Sequence, residues 1–405
     1  MAAASGSFLS HLACTRCGRT TSPHLLQGVC DCGGTLLCRY DTEAMRHALK
    51  REDLKSREAS LWRYTELLPV QDPAHIVTLG EGFTPILPLR WGAQHGLTDL
   101  SLKDEGLNPT GTFKARGASV GVSRLRELGV QRVVVSSSGN AGDAWAVYSR
   151  RGGIEATIIL PQDAPEPMLV ESELTGHDLY TFAGHNSRGG RLAKSFAENH
   201  QAFCANTFQE PYRVEGKKTM GLEIAEQLGW RMPDVVVYPI GGGVGLIGIW
   251  KAFNELRELG WLHGKLPRFV IAQYEGCAPL VEAFTSGKDS CTPWGEIDTL
   301  PGGLRAPKPL VDFLILQILR ETGGMAIAVS GDDALTAVRE VMVSDGIFMC
   351  PEAGTTIVAL RQLLQSGWVQ PDEKVVVINT GTGLKYASLF PASPHHIADG
   401  VEEMR

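Results

Sequence analysis

Short runs of apolar, mostly β-branched residues alternate along the chain with longer segments that carry apolar residues at helical spacing. The runs predict strands at residues 132–137, 155–160, 234–240, 268–274 and 374–380. The helical spacing predicts helices at residues 141–151, 221–228, 246–259 and 334–345, and a charged segment at about 42–68 is also expected to be helical. Continuous apolar strands that alternate with helices indicate an α/β fold in which helices cover both faces of a parallel sheet.

Three of the predicted strands run into a turn of small residues. The turns read SSSGNAG at residues 136–142, PIGGGVGL at 239–246 and INTGTGLK at 378–385. In an open parallel sheet, ligands bind in the crevice outside the carboxyl ends of the strands. We therefore expect the three turns to line one pocket.

The glycine-rich turn has the composition of a phosphate site. Four of the five residues 241–245 are glycine, so successive backbone N–H groups can face one point while the next helix adds its positive end. Close packing of a strand against a helix also favours glycine and is one alternative. A second alternative is a dinucleotide site, because Gly243, Gly245 and Gly248 match that fingerprint and Glu275 ends the next strand. The dinucleotide reading leaves Lys114 and the other two turns unexplained.

Lys114 stands in the stretch EGLNPTGTFKARGA, at the point where a helix is predicted to begin. The positive end of a helix disfavours an ammonium group and helps to keep the amine nucleophilic. An amine nucleophile together with a phosphate site suggests pyridoxal phosphate. The alternative is a solvated surface lysine, which is the commonest place for this residue type.

Five of the nine cysteines lie in the first forty residues. Cys14 with Cys17, and Cys30 with Cys32, form two glycine-containing knuckles of the kind that present four thiolates to a structural zinc ion. Only one residue separates Cys30 from Cys32 where two are usual, and Cys38 offers a substitute ligand. The alternative is a set of reduced cysteines without a metal.

Composition narrows the class of protein further. The 405 residues are 43% hydrophobic and 20% charged, with a net charge of −7, which argues against a nucleic-acid or anionic membrane surface. The chain has neither an apolar run long enough to span a bilayer nor a secretory signal, and its cysteine count is odd. These features predict a cytoplasmic protein with a small-molecule substrate and no nucleic-acid or membrane partner.

Taken in order, NPTGTFKARGA, SSSGNAG, GGGVG and NTGTGLK resemble the fold-type II pyridoxal phosphate enzymes. LGEGFTPILPL at residues 79–89 and NTFQEPYRVEGKKTMGLEIAEQLGW at 206–230 narrow the resemblance to the threonine synthase family. It implies two open parallel-sheet α/β domains with the cofactor between them, plus a small N-terminal zinc-ribbon-like segment. The expected divisions are residues 1–45 for the ribbon, 46–100 with 216–405 for the larger domain, and 101–215 for the smaller one. The family also suggests a homodimer.

The resemblance assigns roles to individual residues. Lys114 would form an aldimine with the cofactor and move protons, Phe113 would pack near the ring, Asn140 would bind the 3-hydroxyl, and Thr380 would meet the pyridine nitrogen. The backbone N–H groups that would hold the cofactor phosphate belong to Gly241, Gly242, Gly243, Val244 and Gly245. The substrate carboxylate would lie at Ser137 and Ser138. The cations expected at the substrate phosphate are Lys103, Arg116 and Lys217, with Arg188 a weaker candidate.

The implied reaction converts O-phospho-L-homoserine and water to L-threonine and phosphate. Four departures from the family pattern leave related reactions open. Ala115 stands where an acid is common, Asp143 and Trp145 follow the Ser-Gly-Asn turn, and Thr382 lies between the last two glycines. The loop AGHNSRGG at residues 183–190 has basic and polar residues where the family often has acids. The alternative is β-elimination or β-replacement, as in serine or threonine dehydratases and cysteate synthase. A binding module with an inactive enzyme domain is a third reading, against which the intact Lys114 and glycine turn speak.

Overall fold

The computed structural model describes residues 6–183 and 186–391, and of residues 186 and 187 only the backbone. The strands are β1 Leu9–Cys14, β2 Thr20–Thr21, β3 Leu36–Tyr40, β4 Ile86–Pro88, β5 Asp99–Asp104, β6 Arg132–Ser136, β7 Glu155–Pro161, β8 Asp178–Phe182, β9 Phe203–Cys204, β10 Val235–Pro239, β11 Arg268–Tyr274, β12 Met325–Val329 and β13 Lys374–Asn379. The α-helices are α1 Thr42–Ala48, α2 Arg90–Gln94, α3 Lys114–Glu127, α4 Asn140–Gly152, α5 Glu166–Leu174, α6 Asn186–His200, α7 Arg213–Gln227, α8 Val244–Glu258, α9 Pro279–Thr285, α10 Asp312–Glu321, α11 Gly331–Asp345 and α12 Pro351–Gln365. Turns of 3-10 helix lie at Arg51–Ser56, Leu61–Leu67, Pro73–His75, Glu105–Leu107, Pro109–Gly111, Glu275–Cys277 and Gly383–Leu389.

The larger sheet has six strands in the order β12-β11-β10-β13-β5-β4, all parallel except β4. Both of its faces are covered, because Val236 of β10 packs into one apolar cluster while its neighbours Val235 and Val237 pack into another. Strands buried on both faces need no polar alternation, which is why unbroken apolar runs identified them in the sequence.

The smaller sheet has four parallel strands in the order β8-β7-β6-β9. The predicted strands of both sheets are confirmed to within one residue at each end. Helices α4, α8 and α11 confirm three predicted helices to within three residues. The carboxyl ends of β6, β10 and β13 carry the three turns of small residues.

The helix predicted at residues 221–228 begins earlier in the chain, at Arg213. Its first turns contain Arg213, Glu215, Lys217 and Lys218, and all four side chains are buried. A search for apolar periodicity misses a buried helix face that carries charged residues, because charged residues are expected at the surface.

The segment at about residues 42–68, which was expected to be helical, is helical in three short pieces. Leu49 and Arg57 have extended backbone, so the segment forms α1 followed by two separate 3-10 turns. Leu54 and Leu61, seven residues apart, would lie on one face of a continuous helix. They pack instead into two different apolar clusters, which requires the chain to bend between them.

Three antiparallel strands in the order β2-β1-β3 form a small N-terminal sheet. Its last strand reaches the main body, where the Tyr40 hydroxyl donates a 2.9 Å hydrogen bond to Glu215 of α7. Within the described residues, no helix has the length and apolar character needed to cross a bilayer.

The division into residues 1–45, 46–100 with 216–405, and 101–215 stays a prediction. Its boundary at residue 101 falls inside β5, which pairs with β13 and β4 of the larger sheet. We therefore assign the whole of β5 to the larger unit.

Candidate functional site

A cavity of about 510 Å³ opens at the carboxyl ends of the parallel strands. It is lined by residues 136–141 after β6, by Gly241–Val244 after β10, by Thr380 and Gly381 after β13, and by Phe113 and Lys114. The three turns singled out in the sequence therefore line one pocket, as expected. The parallel strand directions explain this convergence, because the ends of all three strands face the same way.

Lys114 is the first residue of α3 and lies in the cavity wall. Two backbone hydrogen bonds tie its approach to the end of β13: Phe113 N–H donates to Thr380 O at 3.0 Å, and Thr382 N–H donates to Gly111 O at 2.8 Å. The Lys114 Nζ lies 4.3 Å from the centroid of the Phe113 ring. Lys114 is thus placed by the backbone of the facing strand.

The pKa of Lys114 is lowered to about 8, first by burial of the amine and then by the nearby positive charge of Arg213. The sequence suggested the helix end as the cause, whereas burial is the main one. A lysine with a pKa near neutrality has a substantial fraction of free amine, which is the nucleophilic form.

The glycine-rich turn runs directly into the start of α8. Gly243 has φ of +88°, a left-handed conformation that favours glycine, and as the residue before the helix it has no side chain that could cap the helix N–H groups. A Cβ on Gly241 would lie 2.4 Å from Gly303 O, so a side chain there would collide with backbone. Gly241, Gly242, Gly243 and Val244 line the cavity, whereas Gly245 lies outside its wall, and its backbone hydrogen-bonds the Tyr238 hydroxyl.

Ser137, Ser138 and Asn140 all line the cavity. The Ser137 hydroxyl holds the turn together, since it accepts hydrogen bonds from Gly139 N–H at 3.0 Å and from Gly142 N–H at 2.8 Å. The Asn140 amide donates to the Tyr386 hydroxyl at 2.8 Å, while its Oδ1 is buried without a partner.

Thr380 lies at the end of β13 with its hydroxyl 3.4 Å from the Cys350 Sγ. Cys350 and Glu352, at the start of α12, also line the cavity. Glu352 Oε1 accepts from Gly303 N–H at 2.9 Å and from the Tyr386 hydroxyl. The sequence pattern gave no signal for Glu352 or Tyr386.

The cations predicted at the substrate phosphate lie away from the cavity wall. Lys103 and Arg116 are fully buried and pair with carboxylates, Lys103 with Glu223 at 2.6 Å and Arg116 with Glu105 and Glu223 at 2.5 Å. Lys217 is buried beneath α3 and donates to Lys114 O at 3.2 Å. The sequence could not separate these core charges from ligand-binding ones, because burial depends on packing between distant segments.

The weaker candidate Arg188 is exposed and donates to Ala183 O at 3.0 Å. The cationic side chains that do line the cavity among the described residues, besides Lys114, are Arg305 and Lys308. Arg305 also pairs with Asp163, beyond β7, at 2.5 Å. Lys308 pairs with Asp312 at 2.5 Å. Both lie in a Gly- and Pro-containing loop after α9 that carries no recognisable motif.

Two of the departures from the family pattern face the core. Ala115 is fully buried in an apolar cluster. Asp143 is buried beneath the Ser-Gly-Asn turn and pairs with Lys385, which also contacts Glu171 at 2.9 Å. Burial raises the pKa of Asp143 to about 7 even though Lys385 lowers it.

The four predicted cysteine ligands form one cluster in the N-terminal sheet, with all their Sγ atoms within 4.8 Å of one another. Sγ–Sγ distances of 3.5 Å (Cys14–Cys32, Cys17–Cys32) and 3.7 Å (Cys17–Cys30) are near the edge of about 3.8 Å that a tetrahedron of 2.3 Å Zn–S bonds requires. Cys38 is fully buried and lies outside this cluster. The donor set fits a structural zinc ion.

The cavity also fits pyridoxal phosphate. Its buried Asn140 Oδ1 is a ready partner for a ligand hydroxyl, and the backbone of Gly241–Val244, which lines the cavity at the start of α8, suits a phosphate. The Lys114 amine lines the same cavity.

Comparison with known proteins places these features in context. The family profile described as pyridoxal-phosphate dependent enzyme matches residues 77–381. The threonine synthase of Methanocaldococcus jannaschii is 34% identical over 92% of each chain. That of Methanosarcina acetivorans is 33% identical over 97% of this chain and 95% of its own.

Solved structures share the architecture. Maize serine racemase superposes with a TM-score of 0.64 at 23% identity, covering 76% of this chain and 91% of its own. Diaminopropionate ammonia lyase from Escherichia coli gives 0.65 at 16% identity, covering 77% and 88%. At such identities the likeness shows the fold alone: the fold-type II α/β arrangement of two parallel-sheet units.

Proposed function

The chain belongs to the pyridoxal-phosphate dependent enzymes and, within them, to the threonine synthases, and from this we infer that it converts O-phospho-L-homoserine and water to L-threonine and phosphate. The observation that carries the proposal is the placement of Lys114, with a pKa lowered to about 8, in one cavity with the glycine-rich turn at the start of α8 and the unpartnered Asn140 Oδ1. The chain thus acts as a lyase on an amino-acid substrate.

We assign a role in this reaction to each group of residues that lines the cavity. The N–H groups of Gly241–Val244 would hold the cofactor phosphate, Asn140 the 3-oxygen and Thr380 the pyridine nitrogen, with Phe113 beside the ring. When bound, pyridoxal phosphate withdraws electrons from the substrate carbon that carries the amine. Lys114 Nζ would accept and return the protons at the α- and β-carbons, because it lies beside the Phe113 ring and its pKa is lowered to about 8. Ser138 and the backbone of its turn face the substrate carboxylate.

The substrate phosphate needs a cationic partner, and we assign that role to Arg305 and Lys308. Both line the cavity, whereas Lys103, Arg116 and Lys217 are held in the core. A guanidinium group suits a phosphate because it donates two parallel hydrogen bonds.

A substrate panel tests the reaction. Purified protein supplied with the cofactor is incubated separately with phosphohomoserine, phosphoserine plus sulfite, serine and threonine, and the products are identified. We expect phosphate and threonine from phosphohomoserine, and a loss of about 10²–10⁴-fold in Lys114→Ala, since general acid–base catalysis contributes about that much. Ammonia from serine or threonine without phosphate release from phosphohomoserine would assign the chain to the elimination enzymes instead.

The attachment point of the cofactor is tested by borohydride reduction. We expect yellow protein whose visible absorbance is lost on reduction, with the adduct mapped to Lys114 by peptide mass analysis. An adduct on another lysine would contradict the assignment of the site.

For the N-terminal segment we propose one structural zinc ion held by Cys14, Cys17, Cys30 and Cys32. Metal analysis of fresh protein is expected to give about one zinc per chain. Cys17→Ser should lose the metal and lower the melting temperature, whereas Cys204→Ser, a cysteine outside the cluster, should keep it. The zinc ribbon would be refuted if fresh wild-type protein contained no zinc and had the same melting temperature with and without added zinc.

We further propose a homodimer in the cytoplasm. The dimer rests on the family, and the compartment on nine cysteines that are all free in the structure, which suits a reducing environment. Sedimentation of the purified protein and fractionation of the source cells would decide these two points.

A further inference from the structure

Lys385 joins the end of β13 to two helices that pack on the smaller sheet. Its amine pairs with Asp143 in the first turn of α4 and lies 2.9 Å from Glu171 Oε2 of α5. Lys385 itself belongs to the 3-10 turn Gly383–Leu389, which follows β13 of the larger sheet. One buried ammonium group therefore holds three segments from the two sheet units together.

On the side of the smaller sheet, the Ser-Gly-Asn turn at residues 136–141 lines the cavity and leads directly into α4. The N–H groups of Gly142 and Asp143 donate to Gly139 O at 2.8 and 3.2 Å, so the turn and the start of α4 are held together. Helix α5 packs against the same turn, because a Cβ on Gly139 would lie 2.2 Å from Met168 Sδ. A contact that fixes α4 and α5 therefore also fixes the turn.

On the side of the larger sheet, Lys385 packs beside the segment that carries Lys114. A Cβ on Gly111, three residues before Lys114, would lie 3.8 Å from Lys385 Cδ. Thr382 N–H, three residues before Lys385, donates to Gly111 O at 2.8 Å. Lys385 is thus anchored beside Lys114 and reaches from there to the helices that carry the Ser-Gly-Asn turn.

Fold stability does not account for the charge of Asp143. Burial raises the pKa of Asp143 to about 7, and Lys385, which acts in the opposite direction, does not restore the ordinary value. Between the ordinary pKa of about 4 and pH 7, the folded protein keeps a proton that the unfolded chain has lost. The contribution of Asp143 to the unfolding free energy therefore falls as the pH rises through this range, a cost that an apolar residue would avoid.

We propose that Lys385 is a positioning residue, which through Asp143 and Glu171 holds the Ser-Gly-Asn turn in the place where it meets the substrate carboxylate. The inference rests on the proposed function, in which Ser138 and the backbone of this turn face that carboxylate. It also accounts for Asp143, one of the departures from the family pattern. Without Lys385 the turn is in place for only part of the time, so KM rises by the inverse of that fraction while kcat is kept.

Hydrogen exchange of the purified protein without substrate tests the position of the turn. In Lys385→Met we expect the hydrogen-bonded amides of Gly142 and Asp143 to exchange at least tenfold faster than in the wild type, as measured by mass spectrometry of the peptide that contains them. The Ile247 amide of α8, which donates to Gly243 O at 3.0 Å, should keep its rate. Asp143→Asn keeps the shape of the side chain but weakens the pair, and we expect about threefold faster exchange.

Initial rates give a second, independent readout. Lys385→Met should raise KM for phosphohomoserine about tenfold, which is the size of effect expected from the loss of charged hydrogen bonds, and should change kcat by less than about threefold. The effects of Lys385→Met and Asp143→Asn should not add in the double variant, because both changes break the same pair.

Lys374→Met is the matched control. Lys374 begins β13, at the other end of the strand from Lys385, and its amine also pairs with a carboxylate, that of Asp99 in β5. This variant should leave both the exchange of the Ser-Gly-Asn turn and KM unchanged.

Wild-type exchange at the turn in folded Lys385→Met would overturn the inference and leave the proposed function standing. Equal acceleration in Lys374→Met would also overturn it, because a general loss of stability would then explain the result. If Lys385→Met does not fold, Asp143→Asn decides by the same two measurements. Absence of phosphate release from phosphohomoserine in the wild type would instead refute the proposed function, while the exchange rates still show whether Lys385 holds the turn.

Discussion

Lys114 shows how burial turns an ordinary side chain into a reactive one. Its Nζ lies beside the Phe113 ring in the cavity wall and is close enough to Arg213 to sense that charge, while Glu352 and Asp143 act in the opposite direction. Burial has the largest effect, so the pKa falls to about 8 from the ordinary 10.5. Lys103 and Lys217 are buried as well, but hydrogen bonds hold their amines to groups of the core.

The pH dependence of cofactor attachment tests this pKa. A pKa near 8 leaves about a tenth of the amine neutral at pH 7 and about half at pH 8. The rate at which cofactor-free protein binds the cofactor covalently should therefore rise about fivefold from pH 7 to 8 and become nearly constant above pH 9. Stopped-flow absorbance measures it, with Lys114→Ala as the blank. A rate that keeps rising through pH 10.5 would show an unperturbed lysine.

At the scale of elements, the turn between β10 and α8 combines two requirements in a few residues. Gly243 takes a left-handed conformation as the residue before the helix, and a Cβ there would lie 2.3 Å from Ile315 Cδ1. Gly243 has no side chain to cap the helix, and the backbone of Gly241–Val244 lines the cavity. Backbone shape, rather than any side chain, would make the proposed phosphate site.

Gly243→Ala tests the turn, with Gly260→Ala as its control. Both glycines have positive φ and lie at the two ends of α8, but a Cβ on Gly260 meets open space. Backbone strain should cost each variant about 1 kcal/mol in unfolding free energy. Only Gly243→Ala should also weaken cofactor binding, by about tenfold or more, because its Cβ displaces the turn. Equal cofactor affinity of the two variants in a fluorescence titration would contradict the assigned cradle.

At the scale of the whole molecule, charges divide into those that hold the units together and those that face the cavity. Arg116 of α3 pairs with Glu105 beyond β5 and with Glu223 of α7, so one buried guanidinium fixes three segments. Arg305 instead lies in the cavity wall and reaches Asp163 on the other side. The residue types are the same, and only burial separates their roles.

Replacing each arginine by methionine should separate these roles. Arg116→Met removes the cation that pairs with two buried carboxylates and should lower the unfolding free energy by about 3–5 kcal/mol. Arg305→Met breaks a partly exposed pair with Asp163 and the hydrogen bonds to Thr299 O and Leu300 O, and should cost about 1–2 kcal/mol. It should raise KM for the phosphorylated substrate about tenfold or more, because charge-assisted hydrogen bonds to a phosphate are lost. Denaturant titration and initial rates measure both; a stable Arg116→Met with raised KM would reverse the assignment.

Sequence alone determined the parallel-sheet class, the strand ends, the lysine and the glycine turn, because each depends on local order: apolar runs, backbone freedom and neighbouring residues. It also identified the four cysteines, whose spacing brings them together within one small sheet. Only the tertiary structure decided which charges reach the cavity. Lys103 and Arg116 face carboxylates more than 100 residues away in the sequence, Glu223 in both cases, and Asn140 meets Tyr386 across the cavity. Such pairings depend on how distant segments pack, and no local pattern records them.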